Sequence, residues 1–297
     1  MKKDFDGNLN SVKFPVDSDR ISGIVALLKD CTKQKDLQRG SQIHVDISKR
    51  SLIEKNIYVG NSLVHMYAKC GDFGKAREIF SQLPVQDVVS WTTLISGYMQ
   101  EGRGDIALVC FDKMQQEGIC PNEATFACVL KTCGCTQSIF DGQRIHARLF
   151  REHFMENSRN IIVNALVDMY AKCGHLGKAH EVFDQLKHRD VISWTALITG
   201  HVQHDQGEEA ISAFNHMQQE GICPNLVTYA CILKAYGSIR DWGKGHEIHA
   251  KIVNHAYLKE HNYLGNSLLD MYAKCGLLDQ MKRVFDDLKV QDVVAWT

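Results

Sequence analysis

The stretch Asn61-Ser-Leu-Val-His-Met-Tyr-Ala-Lys-Cys-Gly71 decides the fold, because the chain contains it in three closely related forms. The other two forms occupy 164–174 and 266–276, at offsets of 103 and 102 residues. Self-similarity at a fixed period is the signature of a repeat architecture. The period of about 103 residues therefore predicts that further blocks recur in register with this one.

Each copy of this stretch has the pattern of a short helix that is followed by a second one. The apolar residues of the first copy have the i, i+3, i+4, i+7 spacing of a helix face: Leu63, Met66, Tyr67 and Cys70. Glycine at its end is typical of a helix C-terminus. Ala76 and Phe80 follow, and their spacing of four places them on one face of a second helix.

Other blocks recur in register with the first and divide the chain into units of three lengths. Asp87-Val-Val-Ser-Trp91-Thr92 has counterparts at 190–195 and 292–297, and 114–122 recurs at 217–225. The predicted units are short (57–87, 160–190 and 262–292), standard (88–122 and 191–225) and long (21–56, 123–159 and 226–261). We expect residues 1–20 to be poorly ordered and 293–297 to be the start of a truncated ninth unit.

A helical hairpin of this size cannot bury both of its apolar stripes alone, whereas stacked hairpins bury them against each other. The predicted fold is therefore all-α: an α-solenoid superhelix of stacked helix-turn-helix repeats. Trp91, Trp194 and Trp296 recur at the starts of units and are expected to pack at the junctions.

Composition excludes several classes of protein. The chain has 297 residues, of which 44% are hydrophobic and 23% charged, so it is not a disordered or low-complexity chain. No apolar run is long enough to span a membrane. The 34 Lys and Arg against 35 Asp and Glu give a net charge of -1, which provides no global electrostatic case for nucleic acid.

The 11 cysteines do not predict a disulfide framework or a metal site. Most of them occupy matching places in the units, as Cys70, Cys173 and Cys275 do, and no Cys-x-x-Cys occurs. We interpret them as small apolar residues kept reduced. His246-Glu-Ile-His249 lacks the spacing of a zinc hydrolase motif. No cofactor or metal is expected.

The Met-Tyr-Ala-Lys-Cys-Gly, Val-x-Ser-Trp-Thr and Gly-Ile-x-Pro-Asn blocks, at these unit lengths, resemble pentatricopeptide repeats. The resemblance is to the land-plant subclass that mixes long, short and standard units. It implies binding of single-stranded organellar RNA, one base per repeat, read by two or three side chains. In the family's pattern the readers are the fifth and the last residue of a unit.

On this pattern the short and standard units supply base-reading pairs. These are Asn61/Asp87, Asn164/Asp190 and Asn266/Asp292 in the short units, and Thr92/Asn122 and Thr195/Asn225 in the standard units. By the family's code the first kind resembles a uracil reader and the second an adenine reader. The long units present Val25, Ala127 and Ala230, which cannot hydrogen-bond a base. The resemblance thus implies the core N-U-A-N-U-A-N-U, 5′ to 3′.

The resemblance also implies stacking and phosphate contacts. Base-stacking is expected of the second residue of each unit, at Tyr58, Val89, Ile161, Ile192 and Tyr263. Phosphate contact is expected of Lys69, Lys172 and Lys274, which follow the reader Asn by eight residues. The alternatives remain open: the Asn residues as helix N-caps, the Asp residues as turn formers, and the lysines as solubilising groups.

An enzymatic role is not expected. Members of the subclass act in cytidine-to-uridine editing of organellar RNA, and a zinc deaminase needs His-x-Glu and Pro-Cys-x-x-Cys, both missing from these 297 residues. Editing-complex proteins or a deaminase acting in trans are the expected partners. The resemblance implies a mitochondrion or chloroplast, although Asp4, Asp6, Asp17 and Asp19 are untypical of a transit peptide. RNA stabilisation without editing, or a protein-binding solenoid, are the alternatives.

Overall fold

The computed structural model describes residues 17–152, 160–254 and 262–287, and within these ranges every regular element is an α-helix. Asp292, Trp296 and the predicted ninth unit lie outside the described residues, as does most of the N-terminal segment. The helices are α1 (Asp17–Gln34), α2 (Leu37–Lys49), α3 (Leu52–Lys55), α4 (Ile57–Cys70), α5 (Phe73–Gln82), α6 (Val88–Gln100), α7 (Gly104–Gln116), α8 (Glu123–Thr136), α9 (Ile139–Arg151), α10 (Ile161–Lys172), α11 (Leu176–Asp184), α12 (Val191–Gln203), α13 (Gly207–Gln219), α14 (Leu226–Ile239), α15 (Trp242–Asn254), α16 (Asn262–Lys274) and α17 (Leu278–Asp287).

The helices form two compact units, 1–129 and 130–297. In the first, α4 packs against its own hairpin partner α5 and against the neighbouring helices α1 and α6. In the second, α10, α12, α14 and α16 pack in that order, and each also contacts the helix that follows it. Each of the two compact units thus has a layer of first helices and a layer of second helices, as expected for stacked hairpins. The short α3 was not predicted.

Helix boundaries follow from capping residues that recur with the repeat. Gly71 ends α4 with a φ of +90°, a backbone conformation in which a side chain is strained. Asp87 and Asp190 begin α6 and α12 with capping boxes, each completed by the serine three residues later. The glycine stop expected from sequence is confirmed, and the aspartates act as N-caps as well as candidate readers.

The junctions between hairpins are packed by tryptophan, as predicted. Trp91 and Trp194 are 2% and 4% exposed. Their rings meet Phe80 and Phe183 edge-on, with centroids 4.9 and 4.7 Å apart. Gly97 and Gly200 lie on the same helices as the two tryptophans and allow the neighbouring hairpin to approach closely. A Cβ at Gly97 would overlap the ring of Phe73.

The repeated histidines and cysteines are mostly structural. Hydrogen bonds join His44, His146 and His249 through Nδ1 to the hydroxyls of Tyr67, Tyr170 and Tyr272, at 2.8 to 3.0 Å. These links tie the second helix of a long unit to the next short unit. None of the cysteines in the described residues forms a disulfide. Cys31, Cys133 and Cys231 are buried as expected, whereas Cys120, Cys135 and Cys223 are exposed and therefore do not fill a core.

Candidate nucleic-acid interface

The two described short-unit pairs are in direct contact. The Asn61 amide Nδ2 donates to both carboxylate oxygens of Asp87, at 3.0 and 2.9 Å. The Asn164 amide makes the same bidentate contact with Asp190, at 3.3 Å to each oxygen. Since a carboxylate only accepts hydrogen bonds, each amide must turn its nitrogen towards the aspartate. The orientation of both asparagines is therefore set by their partner.

This orientation leaves one polar atom of each asparagine unused. Oδ1 of Asn61 and Oδ1 of Asn164 are buried, and neither has a hydrogen-bond partner among the described residues. A buried polar atom without a partner is costly and calls for an explanation. An incoming donor from a ligand would satisfy it.

The aspartates are held in place from the other side. Oδ1 of Asp87 accepts the backbone N–H groups of Val89 and Ser90, at 3.0 and 2.9 Å. Asp190 accepts the corresponding groups of Ile192 and Ser193. Each carboxylate therefore joins the N-terminus of one helix to the amide on the first helix of the preceding hairpin. Helix capping pre-orients the pair.

The N-cap alternative for the asparagines is wrong for Asn61. The N-cap of α4 is Asn56, which accepts from the backbone N–H groups of Tyr58 and Val59. Asn61 is the fifth residue of that helix, and Asn164 the fourth of α10. Both lie inside a helix and are buried, at 7% and 8% exposure. Their side chains serve the contact with aspartate and not a helix end.

The standard-unit pairs are joined through a third residue that the sequence analysis missed. Thr92 Oγ1 lies 2.7 Å from Thr125 Oγ1, and Thr125 contacts Asn122 Oδ1 through both its hydroxyl and its backbone N–H, at 3.0 Å each. Thr195, Thr228 and Asn225 repeat the arrangement, with the same 2.7 Å between hydroxyls. The available signal was position, because Thr125 and Thr228 follow the last residue of a unit by three, as a capping-box residue does.

The contacts of Asn122 and Asn225 with the threonines are made by the amide oxygen and not by the amide nitrogen. Asn122 and Asn225 are exposed, and within the described residues their Oδ1 atoms carry the contacts to the threonine. Their Nδ2 groups are therefore the free donors of the pair. A short unit offers an acceptor and a standard unit offers a donor, so the two kinds of pair differ in hydrogen-bonding capacity.

The remaining predicted reader positions offer fewer hydrogen-bonding groups among the described residues. Asn266 lies in α16, but Asp292 is outside the described residues. In the long units Val25 and Ala127 are half-buried and Ala230 is buried. None of the three bears a polar side-chain atom.

A groove of about 300 Å³ brings four of the predicted site residues of the first compact unit together. It is lined by the reader pair Thr92 and Asn122, the predicted stacking residue Val89 and the predicted phosphate contact Lys69, with His65 beside them. Residues two, five, nine and thirteen of a unit lie on one face of its first helix. Successive members of this set are three or four residues apart, which is close to one helical turn. Three predicted roles thus meet on one surface.

Apolar side chains are exposed at the predicted stacking places. Tyr58 is 71% exposed and Ile192 60%, with Val89 and Ile161 close to half. The side chain of Tyr263 is outside the described part. Val227, the second residue of a long unit, is exposed in the same way at 46%, and the sequence analysis missed it although the numbering of the unit pointed to it.

The three predicted phosphate contacts are not equivalent. Lys172 pairs with Asp168 at 2.7 Å, and Lys274 with Asp270 at 2.9 Å. Lys69 has His65 at the corresponding place and makes no ion pair with a described residue. The lysines of the long units, Lys29, Lys131 and Lys234, are exposed on the same helical column, one turn after the fifth residue, and were missed.

The described residues contain no cluster of three or more His, Cys, Asp or Glu side chains suited to a metal ion. His246 and His249 both contact the hydroxyl of Tyr272 instead, at 2.9 and 2.8 Å. Among the described helices none is long and apolar enough to cross a membrane.

Stacked helical hairpins with paired polar groups that recur from hairpin to hairpin define a helical-repeat protein. Models of the PPR repeat match residues 61–88, 161–191 and 266–293, and models of the PPR repeat family match 86–135 and 189–238. Together they cover more than half of the chain, which therefore belongs to the pentatricopeptide repeat family.

Similar proteins come from plants. A chloroplastic pentatricopeptide repeat-containing protein of Arabidopsis thaliana is 34% identical over 92% of this chain and 44% of its own length. A mitochondrial one is 37% identical over 91% and 42%. The chain thus spans about two fifths of the length of these relatives. The structure of PPR10 in complex with an 18-nt psaJ RNA element matches 91% of this chain with a TM-score of 0.74 at 22% identity. This likeness confirms the predicted α-solenoid fold class.

Proposed function

We propose that the chain binds single-stranded RNA in a sequence-specific manner, one base per unit, with units bounded as the sequence predicts. The observation that carries the proposal is the recurrence of oriented polar pairs, Asn61/Asp87, Thr92/Asn122 and their counterparts, each with an unused hydrogen-bonding atom. The solved structure of PPR10 with an RNA element supports the class of ligand. Exposed apolar residues at the second place of the units are suited to stack on bases.

The proposed core is N-U-A-N-U-A-N-U. Uracil lies at the Asn/Asp units and adenine at the Thr/Asn units. The two kinds of pair present different free atoms, an acceptor and a donor, and can therefore discriminate bases. The long units are proposed to accept any base, because their fifth residues are apolar.

We further propose that the chain is of the subclass with alternating unit lengths and acts in recognition of organellar RNA sites, in cytidine-to-uridine editing or in RNA processing. The chloroplastic and mitochondrial names of its relatives support an organelle. The chain itself is proposed to be non-catalytic, with a deaminase acting in trans.

The test is a change of preference at one nucleotide. The double variant Asn164→Thr with Asp190→Asn should move the preference of that unit from U to A, by about tenfold, since one base-edge hydrogen bond corresponds to roughly 1.4 kcal/mol. Equilibrium binding to four RNAs that differ only at this nucleotide measures it. The matched control is Thr195→Asn with Asn225→Asp, which should produce the reverse change one nucleotide away.

A binding ratio near one between the predicted core and a scrambled RNA would contradict the base code. Binding of a protein partner with no RNA preference would favour a protein-binding solenoid. Sequence-specific binding in which both double variants keep the original preference would retain RNA as ligand but reassign the readers.

A further inference from the structure

We propose, on the basis of the proposed RNA binding, that Lys29, His65 and Lys69 form a phosphate-binding site, and that this site holds the RNA backbone more strongly than its two counterparts further along the chain. The ligand group is the anionic phosphodiester. Lys29 lies on α1 and the other two residues on α4.

The ninth residue of a repeat unit lies on its first helix and faces the groove. His65 and Ser96, the ninth residues of their units, both line it together with the reader Thr92. Lys29 is the ninth residue of the unit before, on a helix that packs directly against α4. The site therefore lies one helical turn from the bases that the readers would contact.

The two charges that act on the pKa of His65 are both positive. Burial in the groove walls, then Lys69, then Lys29 hold the pKa of His65 below 6.5. The neighbouring α6 has no charged residue. On α5, Lys75 and Glu78 act on His44 and not on His65. Both cations thus oppose the protonation of His65.

The counterparts of this site carry a carboxylate where His65 stands. Asp168 and Asp270 are the ninth residues of their short units, and each pairs with the lysine four residues later. Lys172 and Lys274 are therefore neutralised within their own helix. Lys131 and Lys234 correspond to Lys29 and remain exposed there. Counting ion pairs among the described residues alone, one site offers two unpaired lysines and a histidine, and the other two sites offer one unpaired lysine each.

The site predicts that RNA binding takes up a proton. A phosphate beside His65 stabilises the imidazolium and raises its pKa, so affinity should increase as pH falls from 7.5 to 6. Counterion release by the same contact should appear in the salt dependence. For single strands each neutralised phosphate contributes about 0.7 to the slope of log K against log salt concentration.

The experiment exchanges the residue between the sites in the full chain. His65→Asp should weaken binding of the predicted core about fivefold and lower the salt slope by roughly 0.7, the value for one phosphate contact. Asp168→His should strengthen binding and raise the slope. His65→Asn, which keeps a polar side chain without a charge, should remove the pH dependence with a smaller loss of affinity. Lys29→Gln should lower the salt slope as His65→Asp does.

The proposal is overturned if His65→Asp leaves both affinity and salt slope unchanged, or if the wild-type affinity is the same at pH 7.5 and 6. In either case a retained preference for the predicted core would show that the proposed function stands and only the phosphate site fails. Far-ultraviolet circular dichroism checks that each variant is folded. An unfolded His65→Asp would itself count against the proposal, since Asp occupies this place in two other units.

Discussion

Residues 21–122 and 123–225 are two copies of one period, and they agree in packing but not in charge. The edge-on Phe–Trp contact recurs at 4.9 and 4.7 Å, and the threonine relay at 2.7 Å in both. The charged surroundings differ. Trp91 Nε1 has no hydrogen-bond partner within the described chain, whereas Trp194 Nε1 donates to Glu220 at 3.1 Å. Apolar burial and helix capping thus constrain each copy alike, and surface charge varies between copies.

If packing is what the copies share, the junction tryptophans should be equally important to both. Trp91→Ala and Trp194→Ala should each lower the free energy of unfolding by about 3–5 kcal/mol, because each empties a buried aromatic site. Urea unfolding followed by circular dichroism measures the loss. Trp242→Ala is the matched control, since that side chain is 57% exposed and should cost less than about 1 kcal/mol. Equal losses for Trp91 and Trp242 would contradict the junction role.

The close approach of hairpins should also be common to both copies. A Cβ at Gly200 would lie 2.5 Å from Cβ of Ala171, and one at Gly97 would overlap Phe73. Gly97→Ala and Gly200→Ala should each destabilise by about 1–3 kcal/mol through overpacking. Gly177→Ala meets no atom within 4 Å and should leave stability unchanged or slightly raised. Thermal unfolding of the three variants tests this, and a stabilised Gly200→Ala would refute the packing argument.

The polar surroundings of the junction tryptophans, in contrast, should differ in their contribution to stability between the two copies. Glu220 accepts from Trp194 Nε1 and from Arg189, at 3.1 and 2.8 Å. Its counterpart Glu117 pairs only with Lys113, at 3.8 Å. Glu220→Gln should cost about 1 kcal/mol and Glu117→Gln close to none, since an exposed pair contributes little. Urea midpoints of the two variants give the difference. Equal effects would mean that Glu220 is no better integrated than an ordinary surface charge.

The features that could be predicted from the sequence are those that recur with the repeat. The helix-ending Gly71 and the buried Trp91 recur with their blocks, so periodicity placed them. The pairing of Asn61 with Asp87 was reached through the family resemblance, and the structure brings the two side chains together. The site roles of these residues stay predictions.

What the sequence did not indicate depends on contacts between neighbouring units. Thr125 joins a reader pair only because capping places its hydroxyl against Thr92. The pairing of Lys172 with Asp168 was visible as an i, i+4 spacing. Its importance emerges only when the three copies are compared, because His65 stands where the other two copies have an aspartate. The short α3 has no counterpart among the described residues, because the matching stretches of the other two long units lie outside them, so a repeat offers no second copy from which to infer it.

The smallest expected difference between the copies is in the pH dependence of stability. Burial lowers the pKa of His44 and of His146 below 6.5. Lys75 adds to the effect at His44 but Glu78 opposes it, whereas at His146 Lys178 adds and no carboxylate opposes. A histidine with a lowered pKa contributes stability that is complete above the unfolded value near 6.5 and lost as pH falls through it. The unfolding midpoint in urea should therefore drop between pH 7.5 and 5.5. His146→Gln should flatten that drop more than His44→Gln. A larger effect at His44 would mean that the carboxylate of Glu78 does not reach its imidazole.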